Sequence, residues 1–176
     1  YVYDPAAAAG SRWTTLASMA NARGYLAGVV SNGKIYAIGG REASVSDFNY
    51  VEAYDPADGL WHPVTGMQHG RGGVGAYAVG DSIYACGGGW TSYLDSCESY
   101  DTTLGYDGAW SSHPATLIQG RRTFGYANIG PTLYAIAGYN GSYLATAERW
   151  AYESYLPITM NKPFTNLGFD SQFNGN

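Results

Sequence analysis

The sequence predicts an all-β protein: repeated four-stranded antiparallel units arranged as a β-propeller, with an incomplete ring in this chain. Three observations predict it. A short apolar run closing on glycine occurs three times, as Lys34–Gly40, Ser82–Gly88 and Thr132–Gly138, at spacings of 48 and 50 residues. A period in that range marks an array of one supersecondary unit. Second, Arg23, Arg71 and Arg121 each stand twelve residues ahead of Ile35, Ile83 and Leu133, the second residues of these runs. Third, an acidic-aromatic signature follows each run, as Val51–Pro56, Cys97–Asp101 and Ala147–Trp150, and the first two lead to Trp61 and Trp110. Many glycines among short aromatic and β-branched runs favour strands joined by tight turns.

In chain order, residues 1–19 give half a unit: a strand at Tyr1–Tyr3, a turn at Asp4-Pro5 and a strand at Arg12–Leu16 carrying Trp13. The Ala6–Ala9 run between them is a loop, too short to nucleate a helix alone. Residues 23–66 give a whole unit, with strands near Tyr25–Val30, Ile35–Ile38 and Tyr50–Tyr54 and a fourth carrying Trp61. Its first turn is Ser31–Lys34, where Asn-Gly supplies the positive φ angles of a two-residue hairpin. Its long loop is Arg41–Asn49, and Asp55–Gly59 reads as a turn. Residues 71–117 repeat the pattern, with Gly89–Ser96 as the long loop and Thr102–Gly108 as a longer third turn. Residues 121–160 repeat it again, with Tyr139–Thr146 as the long loop, and 161–176 form a polar C-terminal tail.

Four-stranded sheets set radially make a propeller, and propellers use about 4–8 blades. Three and a half units fall short of closure. Ring completion by another copy, a partner chain or missing blades is therefore expected, and a chain starting at Tyr1 reads as processed or as a piece of a longer protein. Glycine lets backbones approach near a narrow axis. Tyrosine and tryptophan fill the wider gaps between blades.

The double glycine, the Tyr-Asp-Pro of Tyr3–Pro5 and Tyr54–Pro56, the tryptophans and the arginine ahead of the glycine strand together resemble the kelch repeat over residues 1–160. The third unit departs from it: Ala137 replaces the first glycine, Trp150 replaces the tyrosine, and no tryptophan follows. The resemblance implies a kelch-like propeller in which the arginines and the loops after the double glycines share one face. Some members of the family grip acidic peptides there with arginines and loop tyrosines. The matching residues are Arg23, Arg71 and Arg121 with Arg41, Trp90, Tyr93, Tyr139, Asn140 and Tyr143. These residue types also dominate binding hot spots. Trp90, Tyr139 and Tyr143 would alternatively stack on sugar rings. The competing role for the repeated arginines is bonding of backbone carbonyls between blades. For any single aromatic it is ordinary exposure.

In the kelch-like frame Cys86 and Cys97 sit on neighbouring antiparallel strands. Either a cross-strand disulfide joins them, implying an oxidising compartment, or they are two buried thiols. Asn140-Gly141-Ser142 is an N-glycosylation sequon in an exposed loop, and a glycan there would compete with binding on that face. His62, His69 and His113 fall at unrelated positions, so neither a metal site nor a cofactor is expected. Asp4, Asp55 and Asp101 recur one per unit and read as turn residues; Glu52, Glu98 and Glu148 likewise read as structural. No catalytic elbow or phosphate loop is present.

The net charge is −5, with lysine only at Lys34 and Lys162. Nucleic acid, which needs a basic stripe, is not an expected partner. No apolar run approaches the ~18 residues of a membrane span. The expected function is a non-catalytic binding or scaffold module presenting its loops to a protein or glycan partner, in an extracellular setting. The alternatives are a segment of a propeller enzyme of sugar-acid mutarotase or copper oxidase type, a cytosolic adaptor, and a self-assembling structural subunit.

Overall fold

The computed structural model describes residues 1–43 and 46–151. Thirteen strands fill them: β1 (Val2–Tyr3), β2 (Trp13–Thr14), β3 (Ala27–Ser31), β4 (Lys34–Ile38), β5 (Val51–Asp55), β6 (Leu60–Val64), β7 (Gly75–Val79), β8 (Ser82–Cys86), β9 (Cys97–Asp101), β10 (Ser111–His113), β11 (Gly125–Ile129), β12 (Thr132–Ile136) and β13 (Ala147–Ala151). They form a two-stranded sheet β1-β2, two four-stranded sheets β3-β4-β5-β6 and β10-β9-β8-β7, and a three-stranded sheet β11-β12-β13. Every pairing is antiparallel. The fold is a kelch-type β-propeller: each sheet is a blade, and β3, β7 and β11 run beside one another as the inner strands. The expected tail, 161–176, lies outside the described residues.

The run from Tyr25 differs from expectation. Tyr25 is not in a strand but turns with φ +55°, and β3 begins at Ala27. Its place in the unit is taken by Gly73 and Thr123, both also at positive φ. Gly73 N–H donates to Tyr25 O and Thr123 N–H to Gly73 O, each at 2.8 Å, so this turn links successive blades.

Other links repeat in the same way. Gly40 N–H donates to Arg71 O and Gly88 N–H to Arg121 O. The indole N–H of Trp61 donates to Ala17 O at 3.0 Å, and that of Trp110 to Thr65 O at 2.9 Å. Tyr77 O–H donates to Tyr134 O at 2.9 Å. The core is therefore the space between blades, filled by Tyr36, Ile38, Met67, Ile83, Tyr100 and Trp110. The turn aspartates act on their own backbones. Asp4, Asp55 and Asp101 accept from Ala6, Ala57 and Thr103 N–H at 2.8–2.9 Å.

His113 and Glu52 are two of the groups that tie this fold to pH. Burial pushes His113 below its ordinary value of 6.5, and its Nδ1 accepts Ala115 N–H, which requires an unprotonated nitrogen. Burial pushes Glu52 up, but the hydrogen bond from Arg23 and those from Ala20 and Asn21 outweigh it and hold the group below its ordinary 4.5. Both groups take up protons more readily when unfolded, so both stabilise the fold above their ordinary values and lose that contribution as pH falls. The urea midpoint should decline on acidification in two stages, from near pH 6.5 and again from near pH 4.5. His113→Gln should abolish the first stage and keep the second.

Candidate functional site

Two arginine environments exist, and they separate the candidate residues. Arg23, Arg71 and Arg121 have fully buried side chains, each paired with the recurring glutamate of its blade: Glu52, Glu98 and Glu148. Arg71 also donates to Gly87 O and Ser96 O at 2.8 Å and to Ser96 Oγ at 3.0 Å. Arg121 donates to Ala137 O and Thr146 O. The glutamates in turn accept backbone N–H groups of the segment leading into the blade: Ala20 and Asn21, Gln68 and His69, Ile118 and Gln119. In this structure the three repeated arginines are engaged within the fold, bonding backbone carbonyls and the recurring glutamates.

The remaining candidates converge. Trp90 follows the double glycine of the second blade, and its N–H donates to Asp47 Oδ2 of the first blade's loop at 2.6 Å. Its ring lies 4.3 Å from the Arg41 guanidinium carbon and 3.7 Å from that of Arg122. Tyr25 packs against the same indole at 4.7 Å. Three blades therefore meet on one tryptophan. Arg122 also lies over Tyr139 at 4.7 Å and near Tyr93 at 5.9 Å. Tyr139 contacts both Tyr93 and Tyr143 edge to face. Asn140 sits between Tyr139 and Tyr143, and Tyr143 is 91% exposed. Arg41 pairs with Asp47 at 3.6 Å. Cation–π contacts of this kind contribute about 0.5–2 kcal/mol each, so they fix the loops as well as lend them charge.

Sequence reasoning missed Tyr25, Asp47 and Arg122. The Arg121-Arg122 doublet was a usable signal in a chain so poor in cations. Arg41, Arg122 and Tyr25 all pack against the Trp90 ring. Tyr143 is the most exposed of these loop aromatics.

Cys86 and Cys97 are registered partners on β8 and β9 and lie at disulfide distance, with Cα atoms 4.1 Å apart. Both are buried, beside Tyr84 and Tyr77. Among the described residues no three of His, Cys, Asp and Glu converge as metal ligands. His62 pairs with Asp58 and stacks on Tyr106, His69 faces Glu98, and His113 packs on Tyr84. Among the described residues no helix is long and apolar enough to cross a membrane.

Comparison with known proteins agrees with this architecture. Residues 22–68 match the family model of the Kelch motif. Kelch-like protein 23 of Mus musculus is 35% identical over 99 residues, which cover 56% of this chain and 17% of that protein. Kelch-like ECH-associated protein 1B of Danio rerio is 33% identical over 79 residues, 43% of this chain and 14% of that protein. Beta-scruin of Limulus polyphemus is 36% identical over 78 residues, 44% of this chain and 8% of that protein. This chain thus spans a small fraction of the length of these relatives. Among solved structures, YjhT superposes with a TM-score of 0.61 at 18% identity, covering 72% of this chain and 47% of that one. That likeness is one of fold.

Proposed function

We propose, from the premise that this chain is built of kelch repeats, that it is a non-catalytic scaffold whose loop face binds a protein partner. The observation that carries the proposal is the Arg41–Trp90–Arg122–Tyr139 cluster. It holds two guanidinium groups and an exposed Tyr143 in a fixed array on the face formed by the β4–β5, β8–β9 and β12–β13 loops. Preorganised aromatic and arginine side chains give a binding surface at little entropic cost. The relatives named as Kelch-like proteins support a protein rather than a glycan partner, as does the occupied ring of Trp90.

Blades of the same kind would complete the ring, with residues 1–19, 23–66, 71–117 and 121–160 as its units here and 161–176 as a tail. Ile83 of β8 is buried by the preceding blade, while its counterpart Ile35 in β4 is 41% exposed. Ile38 is buried by the following blade, while its counterpart Ile136 is 48% exposed. The two end faces are halves of the interface found between the inner blades. The Cys86–Cys97 bridge and the Asn140 sequon support an oxidising, extracellular compartment. Free thiols and an unmodified Asn140 in native material would place the protein in the cytosol instead.

The test is affinity capture of a partner by the immobilised protein, repeated with Arg122→Ala, Tyr143→Ala and, on the opposite face, Leu104→Ala. The first two should weaken capture about tenfold or more, as hot-spot truncations do, and Leu104→Ala should leave it intact. Loss through Leu104→Ala with Arg122→Ala and Tyr143→Ala silent would move the site to the other face.

A further inference from the structure

The chain contains one dipeptide in two contrasting settings. Asn32-Gly33 forms the β3–β4 turn, and Asn140-Gly141 lies in the β12–β13 loop. A third copy, Asn174-Gly175, lies outside the described residues. An asparagine followed by glycine can cyclise, because the absent side chain leaves the next amide nitrogen free to attack the asparagine side-chain carbonyl carbon. We propose that Asn140 is a site of spontaneous deamidation that places a new carboxylate on the loop face, while Asn32 is protected by the fold.

The chemistry requires no partner. The Gly141 amide nitrogen loses its proton and bonds to Cγ of Asn140. The bond from Cγ to the side-chain nitrogen breaks, and ammonia leaves. The resulting five-membered succinimide takes up water at either carbonyl and opens to aspartate or isoaspartate. The net change is one water consumed, one ammonia released and one negative charge gained. Reaction demands that nitrogen and Cγ come within about 3–3.5 Å in an aligned approach.

The two sites differ in their freedom to reach that approach. Asn32 sits at φ +46° and Gly33 at +73°, in a two-residue turn closed by the Ser31–Lys34 pair. Its Nδ2 donates to Thr102 Oγ1 of the next blade at 2.7 Å, and Thr102 Oγ1 is itself held on Asp81 O at 2.8 Å. Rotation toward Gly33 breaks that link between blades. The Asn140 side chain makes no hydrogen bond to the described residues. Only its backbone N–H is engaged, on Ser142 O at 3.1 Å. The space beside Gly141 is open, with the Tyr93 ring the nearest group at 4.0 Å from a hypothetical Cβ.

The location gives the change a consequence. Asn140 follows Tyr139, whose ring lies 4.7 Å from the Arg122 guanidinium, and the Arg122 side chain donates to no acceptor among the described residues. The reaction therefore adds a carboxylate beside the loop-face cation. It also removes the asparagine of the sequon, so a glycan and deamidation at Asn140 exclude each other.

The test uses the whole protein made in a host without N-glycosylation and incubated folded at mildly alkaline pH. Peptide mapping by tandem mass spectrometry, with isoaspartyl methyltransferase labelling, reads both sites. In the folded protein Asn140 should convert about tenfold faster than Asn32, the factor expected from one hydrogen bond broken on the way to the transition state. In urea the two rates should converge. Gly141→Ala should slow conversion at Asn140, and Thr102→Val should accelerate it at Asn32. Equal rates at the two sites in the folded protein, or an Asn140 stable when folded and reactive only in urea, would overturn the proposal.

Discussion

Glu98→Gln should destabilise this protein by roughly 3–5 kcal/mol, the scale of breaking a buried ion pair by removing one partner. The carboxylate is 1% exposed and accepts hydrogen bonds from Gln68 N–H at 2.6 Å, His69 N–H at 3.1 Å, Arg71 Nε at 3.2 Å and an Arg71 terminal nitrogen at 3.1 Å, with His69 Nδ1 at 3.3 Å. Glutamine keeps the shape but offers one acceptor oxygen, and its NH2 group then faces donors. The larger cost is the charge of Arg71, left fully buried among carbonyls and a hydroxyl, with the more distant Asp95 as its remaining acidic neighbour. Against a typical total stability of about 5–15 kcal/mol, such a loss threatens folding itself. Urea denaturation gives the number. A change under about 1 kcal/mol would mean that the pair behaves like a solvated surface bridge. The double variant Arg71→Met/Glu98→Gln should recover part of the loss, because it withdraws the stranded charge.

That latch was half legible in the sequence. Arg23, Arg71 and Arg121 recur, and so do Glu52, Glu98 and Glu148. Two opposite charges that recur once per unit in matched places are the signature of a pair repeated with the architecture. Their burial was not legible, because a guanidinium ahead of a strand reads equally as surface. The blades were legible for a physical reason: each must solve the same problem near the axis, so Gly39 and Gly87, Trp61 and Trp110 return in register. The candidate site was legible only in part, for the opposite reason. Arg41 occupies the place of Gly89 and Tyr139 in the other units, and Arg122 that of Gly24 and Gly72. Residues that differ from blade to blade carry no periodic signal. A reading built on periodicity singles out the repeated arginines and passes over Arg122, which packs with Arg41 on Trp90.

The second large effect concerns the first glycine of each double glycine. Gly87→Ala should cost about 3 kcal/mol, while the reverse exchange at the equivalent position, Ala137→Gly, should stabilise by up to about 1 kcal/mol. Gly87 has φ +66°, and a Cβ there would stand 2.8 Å from Arg121 O and 2.9 Å from the Phe124 ring. An L-residue in the left-handed region costs about 1–2 kcal/mol. Moving the Arg121 carbonyl also disturbs the Gly88 N–H bond it accepts at 2.8 Å, a further loss of about 1 kcal/mol. Ala137 already sits at φ +57°, so it carries the conformational cost. Relieving that cost is offset in part by the greater freedom of glycine in the unfolded chain. One exchange in two directions thus separates strain from crowding. If Gly87→Ala costs no more than Ala137→Gly recovers, backbone conformation is the whole effect, and the approach of Arg121 O is not rigid. If the loss at Gly87 is several times larger, the packing of neighbouring blades sets the requirement for glycine.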